Sequence, residues 1–339
     1  MFLRLRVYYD IHKVSPAARL LLGLLQRAGS TLFHAVTFSM ERTDDGGRAI
    51  NYSMERMLDS VLEDAVSALD ESCSESFRRM AKSYLASHLF FRVTFITMVE
   101  ASDEFKASRD SFEDIFYLAG HPLNKPLAAF CAKEGRRIEG SFCSIDGLKY
   151  LLKPFYLLAS SLLHTFLSGR PVGTAVPGKD SVWIEYAHND IADPLAFGEE
   201  VRSDTWDVVA YLDRHDGVSV SDQARTIEKR GIKWIDLHFR HLAGLSGADP
   251  RAIIKTAVRL YGGSNSPRVF WARSLAFEYA LYGLLYYSVY KKYHVKVLIQ
   301  HQEFSWIQEV QASAVQKAGG IMVGLNWSNF LYYTEPYSL

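Results

Sequence analysis

The sequence predicts an α/β protein: a Rossmann-like, doubly wound, mainly parallel sheet of about five strands, preceded by a mostly helical N-terminal region. Short apolar runs recur after residue 180, helix-length segments separate them, and Gly, Pro and capping residues mark the boundaries. Each run is mostly apolar along its whole length, as in strands buried on both faces of a parallel sheet. Strands that alternate with helices imply right-handed crossovers. The predicted strands span 181–186, 208–212, 232–237, 295–300 and 321–325.

The segments between these strands carry residues that begin and end helices. Gly231 follows the first segment as a C-terminal cap. Asp249 precedes the second as a side-chain cap, with a proline in the first turn. Ser305 opens a capping box before the third. These signals predict helices over 222–229, 251–260 and 305–317.

The chain changes character near residue 170. The preceding sequence has mostly helical periodicity, apart from residues 1–9, which alternate as a short strand. The Gly- and Pro-rich segment 169–178 is the best linker candidate. We therefore expect a mostly helical region over 1–170 and a Rossmann-like domain over 179–339. The predicted N-terminal helices span 17–28, 53–69, 77–98 and 111–118, although residues 91–97 could instead be extended.

One apolar run, 154–167, is bracketed by Lys153 and Arg170. It is shorter than the roughly 20 apolar residues that a membrane-spanning helix needs. A buried helix is the plainer interpretation. The alternative is a helix over 150–168 that lies in a membrane interface and gives peripheral contact at the inner face of the cytoplasmic membrane. No signal peptide is recognisable, and the three cysteines form no close pair, so a cytoplasmic location is expected.

The composition and the absent motifs exclude several function classes. Of the 339 residues 48% are hydrophobic, which is enough for a packed core and excludes a disordered chain. The 38 basic and 38 acidic side chains balance, which argues against nucleic acid as a partner. The sequence has no P-loop, nucleophile elbow, zinc-spaced Cys/His cluster or Asp-x-Asp. It therefore predicts no metal and no other bound cofactor.

Candidate site residues follow from the expected sheet, because ligands of an open parallel sheet bind beyond the carboxyl ends of its strands. Every predicted strand is followed by polar or titratable residues. Residues 301–306 rank highest, since a helix N-terminus that could receive an anionic group follows them. The candidates for a general base are Glu303, His301, Glu185 and Asp190. The candidates for substrate contact are His188, His238, Arg240, Gln302, Ser305, Trp306, Asn326 and Ser328.

Structural roles compete with these assignments. A carboxylate at Glu303, just before a helix, would be stabilised by the helix dipole and would serve equally as a cap. Asn189 and Asp190 form a sequence that is typical of turns.

Four stretches of the second half together resemble a bacterial surface-carbohydrate biosynthesis family. They read Val-Trp-Ile-Glu-Tyr at 182–186, Ser-Asp-Thr-Trp at 203–206, Ile-Gln-His-Gln-Glu-Phe-Ser-Trp at 299–306, and Ala-Gly-Gly-Ile-Met-Val-Gly-Leu-Asn-Trp-Ser at 318–328. The members are glycosyltransferases with two Rossmann domains, the GT-B type, and the resemblance covers about residues 180–333. It implies transfer of a sugar from a nucleotide sugar to a surface-polysaccharide or lipid-linked glycan acceptor, at the cytoplasmic face of the membrane. It assigns no catalytic residue.

One departure from this family shapes the expectation. Such enzymes have two facing nucleotide-fold domains, and the sequence predicts one. The resemblance therefore implies an N-terminal, acceptor-side portion without its C-terminal donor domain. Metal independence would follow if helix N-termini and basic side chains hold the diphosphate. One competing hypothesis is a non-catalytic α/β module that docks on a membrane-associated polysaccharide assembly through the 150–168 helix. Another is a different sugar- or nucleotide-processing enzyme on the same scaffold, since a fold does not fix a function.

Overall fold

The computed structural model contains two compact units. The first comprises Met1–Cys73, Ala81–Lys153 and Pro267–Ser274, and the second Ser74–Met80, Pro154–Ser266 and Leu275–Leu339. The described residues are 5–10, 20, 22–24, 27, 33–38, 60–63, 65–67, 69, 75–101, 113–118, 121, 123–133, 144–167, 173–186, 206–212, 220–262, 270–300 and 306–324.

The first unit contains a three-stranded parallel sheet. Its strands are β1 (Leu5–Asp10), β2 (Phe33–Phe38) and β3 (Glu113–Tyr117), in the order β2-β1-β3. The sequence predicted the first strand alone. The prediction of a helix over 111–118 is wrong, because β3 pairs in register with the central strand and Phe116 stacks on Tyr8 at 5.7 Å between ring centroids. Pairing across more than a hundred residues here overrides the local pattern.

Three long or medium helices belong to the N-terminal half. They are α1 (Glu75–Ala101), α2 (Asn124–Lys133) and α3 (Ser144–Leu167). The first confirms the predicted helix over 77–98. The predicted helices over 17–28 and 53–69 are described only in part. The helical residues among them are 20, 22–24, 27, 60–63 and 65–67. Residue 69 is described and is not helical, and the others lie outside the described part of the chain. No helix among the described residues is long and apolar enough to cross a lipid bilayer.

The second unit is built on a five-stranded sheet in which every pair of neighbours is parallel. This confirms the predicted Rossmann-like α/β class, and all five predicted strands are present within two residues of their expected bounds. The strand order is β6-β5-β4-β7-β8. The strands are β4 (Ser181–Glu185), β5 (Asp207–Leu212), β6 (Lys233–Asp236), β7 (Val295–Gln300) and β8 (Ile321–Gly324).

Five described helices accompany this sheet. They are α4 (Val220–Lys229), α5 (Phe239–Ser246), α6 (Pro250–Gly262), α7 (Phe270–Lys292) and α8 (Trp306–Lys317). The predicted caps are confirmed where they are described. The Arg251 N–H donates to Asp249 Oδ1 at 2.8 Å, and Gly231 follows α4 with a φ of 68°. Ser305 lies outside the described residues.

The sheet has two differently packed faces. On one side, Val182, Ile184 and Leu212 form a buried cluster with Ile227 of α4, and this is the α4 side. On the other, fully buried Trp183 meets Tyr290 of α7 edge to face, with 5.8 Å between ring centroids, and this is the α7 side. Both faces of the central strand are therefore inside the unit, which explains why its sequence is apolar without alternation.

The predicted linker over 169–178 also closes one edge of this sheet. Gly173 forms an antiparallel bridge with Ile235 of β6, and the Thr174 N–H donates to the Trp234 carbonyl at 2.8 Å. A Cβ at Gly173 would lie 2.3 Å from that carbonyl oxygen, so the approach needs glycine. The outer edge of β6 is thus paired with backbone at this point.

Candidate functional site

The strand order of the second unit reverses direction between β4 and β7. The chain runs from β4 through β5 to β6 on one side and continues through β7 to β8 on the other. Numbered within the unit, this is the order 3-2-1-4-5 of a Rossmann sheet, in which ligands bind where the direction reverses, outside the carboxyl ends of the strands. By that rule the candidate crevice lies beyond the last residues of the two strands, Glu185 and Gln300.

Glu185 and Gln300 lie on the same side of the sheet. Ile184 pairs in register with Ile299, and both belong to the cluster on the α4 side. Successive strand residues alternate between faces, so the next residue on each strand faces the α7 side. Tyr211, which pairs in register with Glu185, faces the same way. The carboxyl edge therefore presents a carboxylate, an amide and a phenol side by side, with Glu185 and Gln300 only 3% and 2% exposed.

The amide of Gln300 is held by helix α8. Its Nε2 donates to Gln311 Oε1, and the side chain of Gln311 is fully buried. Gln300 Oε1 is also buried, and no hydrogen-bond donor meets it among the described residues. A buried acceptor without a donor costs free energy. The described residues thus leave this acceptor unmatched at the end of β7, next to the reversal of strand order.

Three half-buried aromatic rings meet at the same edge. Tyr282 of α7 lies 5.1 Å from Phe239, the first residue of α5, and 5.6 Å from Trp306, the first residue of α8, between ring centroids. Helix α5 begins just after β6, and α8 follows β7, so both helix starts belong to the carboxyl edge. We call Phe239, Tyr282 and Trp306 the aromatic trio. Such rings are suited to stacking against a nucleobase or the apolar face of a sugar.

The aromatic trio continues into the core as a column of rings along α7. Tyr282 stacks on Tyr286 at 6.1 Å, Tyr286 on Tyr290 at 5.7 Å, and Tyr290 meets Trp183. The tyrosines recur every four residues, which places them on one flank of the helix, as their spacing in the sequence predicts. Core packing therefore accounts for the inner tyrosines, and the outermost one belongs to the candidate site.

A buried carboxylate organises the end of β6. Asp236 is 1% exposed, and its Oδ1 accepts from the His238 N–H at 2.8 Å while its Oδ2 lies 3.7 Å from His241 Nε2. His238 is the N-cap residue of α5. These contacts tie the start of α5 to the sheet and hold Phe239 at the edge, so Asp236 has a positioning role.

The structure describes four of the twelve predicted site residues. Glu185, His238 and Trp306 lie at the carboxyl edge, and Arg240 lies in α5. Sequence reasoning missed Gln300, Phe239 and Tyr282. A glutamine that ends an apolar strand was the available signal for the first, whereas the two aromatics meet through helices far apart in the chain. The predicted candidates outside the described residues are His188, Asp190, His301, Gln302, Glu303, Ser305, Asn326 and Ser328.

A second cluster of titratable groups lies in the first unit. The rings of Tyr84 and His88 are 4.4 Å apart, and those of His88 and His121 are 4.7 Å apart. The Leu123 N–H donates to His121 Nδ1 at 3.2 Å. Burial, together with the nearby charges of Arg92, His88 and Lys153, holds the pKa of His121 well below its usual value. Within the described residues, no group of His, Cys, Asp and Glu side chains could hold a metal ion.

This histidine predicts a loss of stability in acid. Below about pH 6.5 the unfolded chain protonates His121 and the folded chain does not, so unfolding takes up a proton and the free energy of unfolding falls as the pH falls. His121→Asn keeps an acceptor for the Leu123 N–H and does not titrate. We expect urea denaturation followed by circular dichroism to give a shallower fall for the variant, by up to about 1.4 kcal/mol per pH unit. Equal slopes for both proteins between about pH 7.5 and 5.5 would contradict this assignment.

Comparisons with known proteins add little to this site. No protein-family model matches the chain, and no curated protein matches it. Among solved structures, the chain is similar to the tyrosyl-tRNA synthetase of Leishmania major in complex with tyrosinol. That match has a TM-score of 0.24 and 11% sequence identity, and it covers 96% of this chain and 76% of that one. A likeness this weak carries no argument about fold or function.

Proposed function

We propose that the carboxyl edge of the five-stranded sheet binds a nucleotide sugar and that the protein transfers the sugar to a surface-polysaccharide or lipid-linked glycan acceptor. In this proposal Glu185 is the general base that takes the proton of the acceptor hydroxyl. The acceptor oxygen bonds to the anomeric carbon of the sugar as the bond to the nucleotide breaks, and the nucleotide leaves with its phosphates. The protein acts as a glycosyltransferase or as part of one. This proposal departs from the acceptor-side expectation, because it puts the nucleotide sugar as well as the acceptor at this edge. It works in the cytoplasm, at the inner face of the cytoplasmic membrane, and uses neither a metal nor another cofactor.

The observation that supports the proposal best is the composition of the crevice at the reversal of strand order. A buried carboxylate and a buried amide end the two strands that flank it, and the aromatic trio lies at the same edge. Rossmann sheets bind nucleotides at this position. The resemblance of residues 180–333 to the surface-carbohydrate family supports sugar transfer as the reaction.

A ligand screen with a matched pair of tryptophan variants tests the binding step. We expect at least one nucleotide sugar, at saturating concentration, to raise the melting temperature by about 5 °C, because a ligand that binds only the folded chain stabilises it by mass action. Trp306→Ala removes one ring of the aromatic trio. It is expected to weaken binding about 5- to 150-fold in isothermal titration calorimetry, the range for loss of one stacking partner.

Trp206→Ala is the matched control. Trp206 is 36% exposed and precedes β5, so it lies at the amino ends of the strands, whereas the aromatic trio lies at their carboxyl ends. Its loss should leave the affinity unchanged. The proposal fails if no nucleotide sugar binds the wild-type protein, and the location of the site is wrong if the two variants weaken binding equally.

The non-catalytic module is the second candidate, and one observation favours it. Helix α3 exposes several large apolar side chains, among them Phe155 and Tyr156. A protein that docks on a membrane-associated assembly through this helix needs no catalytic edge. Membrane association without any nucleotide-sugar binding would favour this candidate over the enzyme.

A further inference from the structure

Helix α3 exposes an apolar stripe. Its exposed large hydrophobic side chains are Leu152, Phe155, Tyr156 and Leu163, with exposed fractions of 53%, 63%, 58% and 54%. Ala159 is exposed between them. At 3.6 residues per turn, positions 152, 155, 156, 159 and 163 fall within about 100° of one another around the helix axis. We call this set the α3 stripe.

The opposite side of the helix is the more polar one. Its buried residues are Pro154, Leu157, Ser160 and Ser161. Two hydroxyls thus point to the buried side while leucine, phenylalanine and tyrosine face outward. A helix on the surface of a water-soluble domain has the reverse arrangement, with its apolar stripe toward the core. The α3 stripe is therefore arranged for contact with an apolar surface other than the core of this chain.

The charges along the helix identify the kind of surface. Asp146 is the last acidic residue of α3, and the residues from 147 to 167 include Lys149, Lys153 and His164 but no Asp or Glu. Lys153 is half-buried and lies next to the α3 stripe in sequence. An apolar stripe with aromatic rings and cationic flanks is the pattern of a helix that lies in the plane of a membrane interface. Two copies of the helix face to face would instead bring like charges together.

We propose that the α3 stripe inserts into the headgroup region of a membrane rich in anionic lipids. The leucines and Phe155 enter the acyl boundary and the Tyr156 ring lies at the headgroup level, while the cationic sequence of residues 147–167 favours anionic lipids. The helix lies on the membrane and does not cross it. This surface is independent of the reaction proposed for the carboxyl edge, so either proposal can fail alone.

Vesicle flotation of the full chain tests the proposal. The wild-type protein is expected to float with phosphatidylcholine vesicles that contain about 30% phosphatidylglycerol and to float much less with pure phosphatidylcholine. Phe155→Glu places a charge in the centre of the α3 stripe and should lower the membrane partition coefficient about 10- to 100-fold. The matched control is Val258→Glu on α6, because Val258 is also 63% exposed. It should float as the wild type does.

Melting temperatures and light scattering complete the test. Both variants replace exposed residues and should melt with the wild type, so that a loss of flotation reports on the surface. The proposal is overturned if the wild-type protein does not float, or if Phe155→Glu floats equally well. Equal flotation with and without phosphatidylglycerol overturns the assignment to anionic headgroups. A wild-type dimer that Phe155→Glu dissociates, without flotation, would show instead that a second copy covers the stripe.

Discussion

Glu185→Gln is expected to lower the rate of sugar transfer by about 10²- to 10⁴-fold, the usual contribution of a general base. Glutamine keeps the size of the side chain and its hydrogen-bonding capacity in a site that is only 3% exposed. It cannot take a proton from an acceptor hydroxyl. The affinity for the nucleotide sugar, measured by calorimetry, should therefore stay within about twofold while kcat falls.

Glu228→Gln is the control for this experiment. Glu228 lies near the end of α4, at the opposite edge of the sheet, where its Oε1 accepts from Trp234 Nε1 at 2.8 Å. A glutamine oxygen can accept the same hydrogen bond, so transfer should be unaffected. Full activity of Glu185→Gln would remove Glu185 from the reaction and leave the binding site untouched. Loss of both binding and turnover would indicate a structural role.

Trp183→Ala is expected to reduce the free energy of unfolding by about 3–5 kcal/mol, the range for deletion of a large buried aromatic side chain. Trp183 is fully buried in the central strand, and its ring contacts those of Tyr211, Tyr290 and Tyr293 at 5.6–6.3 Å between centroids. Alanine would leave a cavity between the sheet and α7. Urea denaturation monitored by circular dichroism gives the difference.

Two further variants calibrate the effect of this substitution. Trp183→Phe keeps one ring and should cost about 1–2 kcal/mol. Trp206→Ala deletes the same side chain at a site that is 36% exposed and should cost less than Trp183→Ala, because part of the ring stays in water in the folded chain. A cost for Trp183→Ala as small as that of Trp206→Ala would mean that the packing between β4 and α7 does not stabilise the unit.

The five-stranded sheet could be predicted because burial and pattern agree there. The strand over 295–300 is predicted with its observed bounds, since a strand buried on both faces is written as a continuous apolar run. In the first unit the local sequence pattern around β3 indicates a helix, whereas the segment is a strand. The sequence Glu-Asp-Ile-Phe-Tyr of β3 has no strand alternation of its own, and its register with β1, where Leu5 pairs with Glu113, depends on contacts far along the chain.

The sequence predicts where the candidate site lies in the sheet, but only some of the residues that form it. Parallel strands bring their carboxyl ends to one edge, so Glu185 and Trp306 could be placed there from the sequence. The contact of Tyr282 with Phe239 joins two helices that are separated by α6, and the contact of Gln300 with Gln311 depends on how α8 lies on the sheet. Neither contact is accompanied by a motif of fixed spacing that would predict it from the sequence.

The reversal of strand order also determines the order in which the parts of the sheet can form during synthesis of the chain. The hydroxyl of Ser181, at the start of β4, donates to the carbonyl oxygen of Tyr293, 112 residues later and just before β7. On the ribosome, β4, β5 and β6 emerge well before β7, and until then one edge of the central strand has no neighbour. Closure of so long a loop is slow compared with local folding. The crevice therefore forms late in synthesis, and a ligand bound there stabilises only those chains that have completed it.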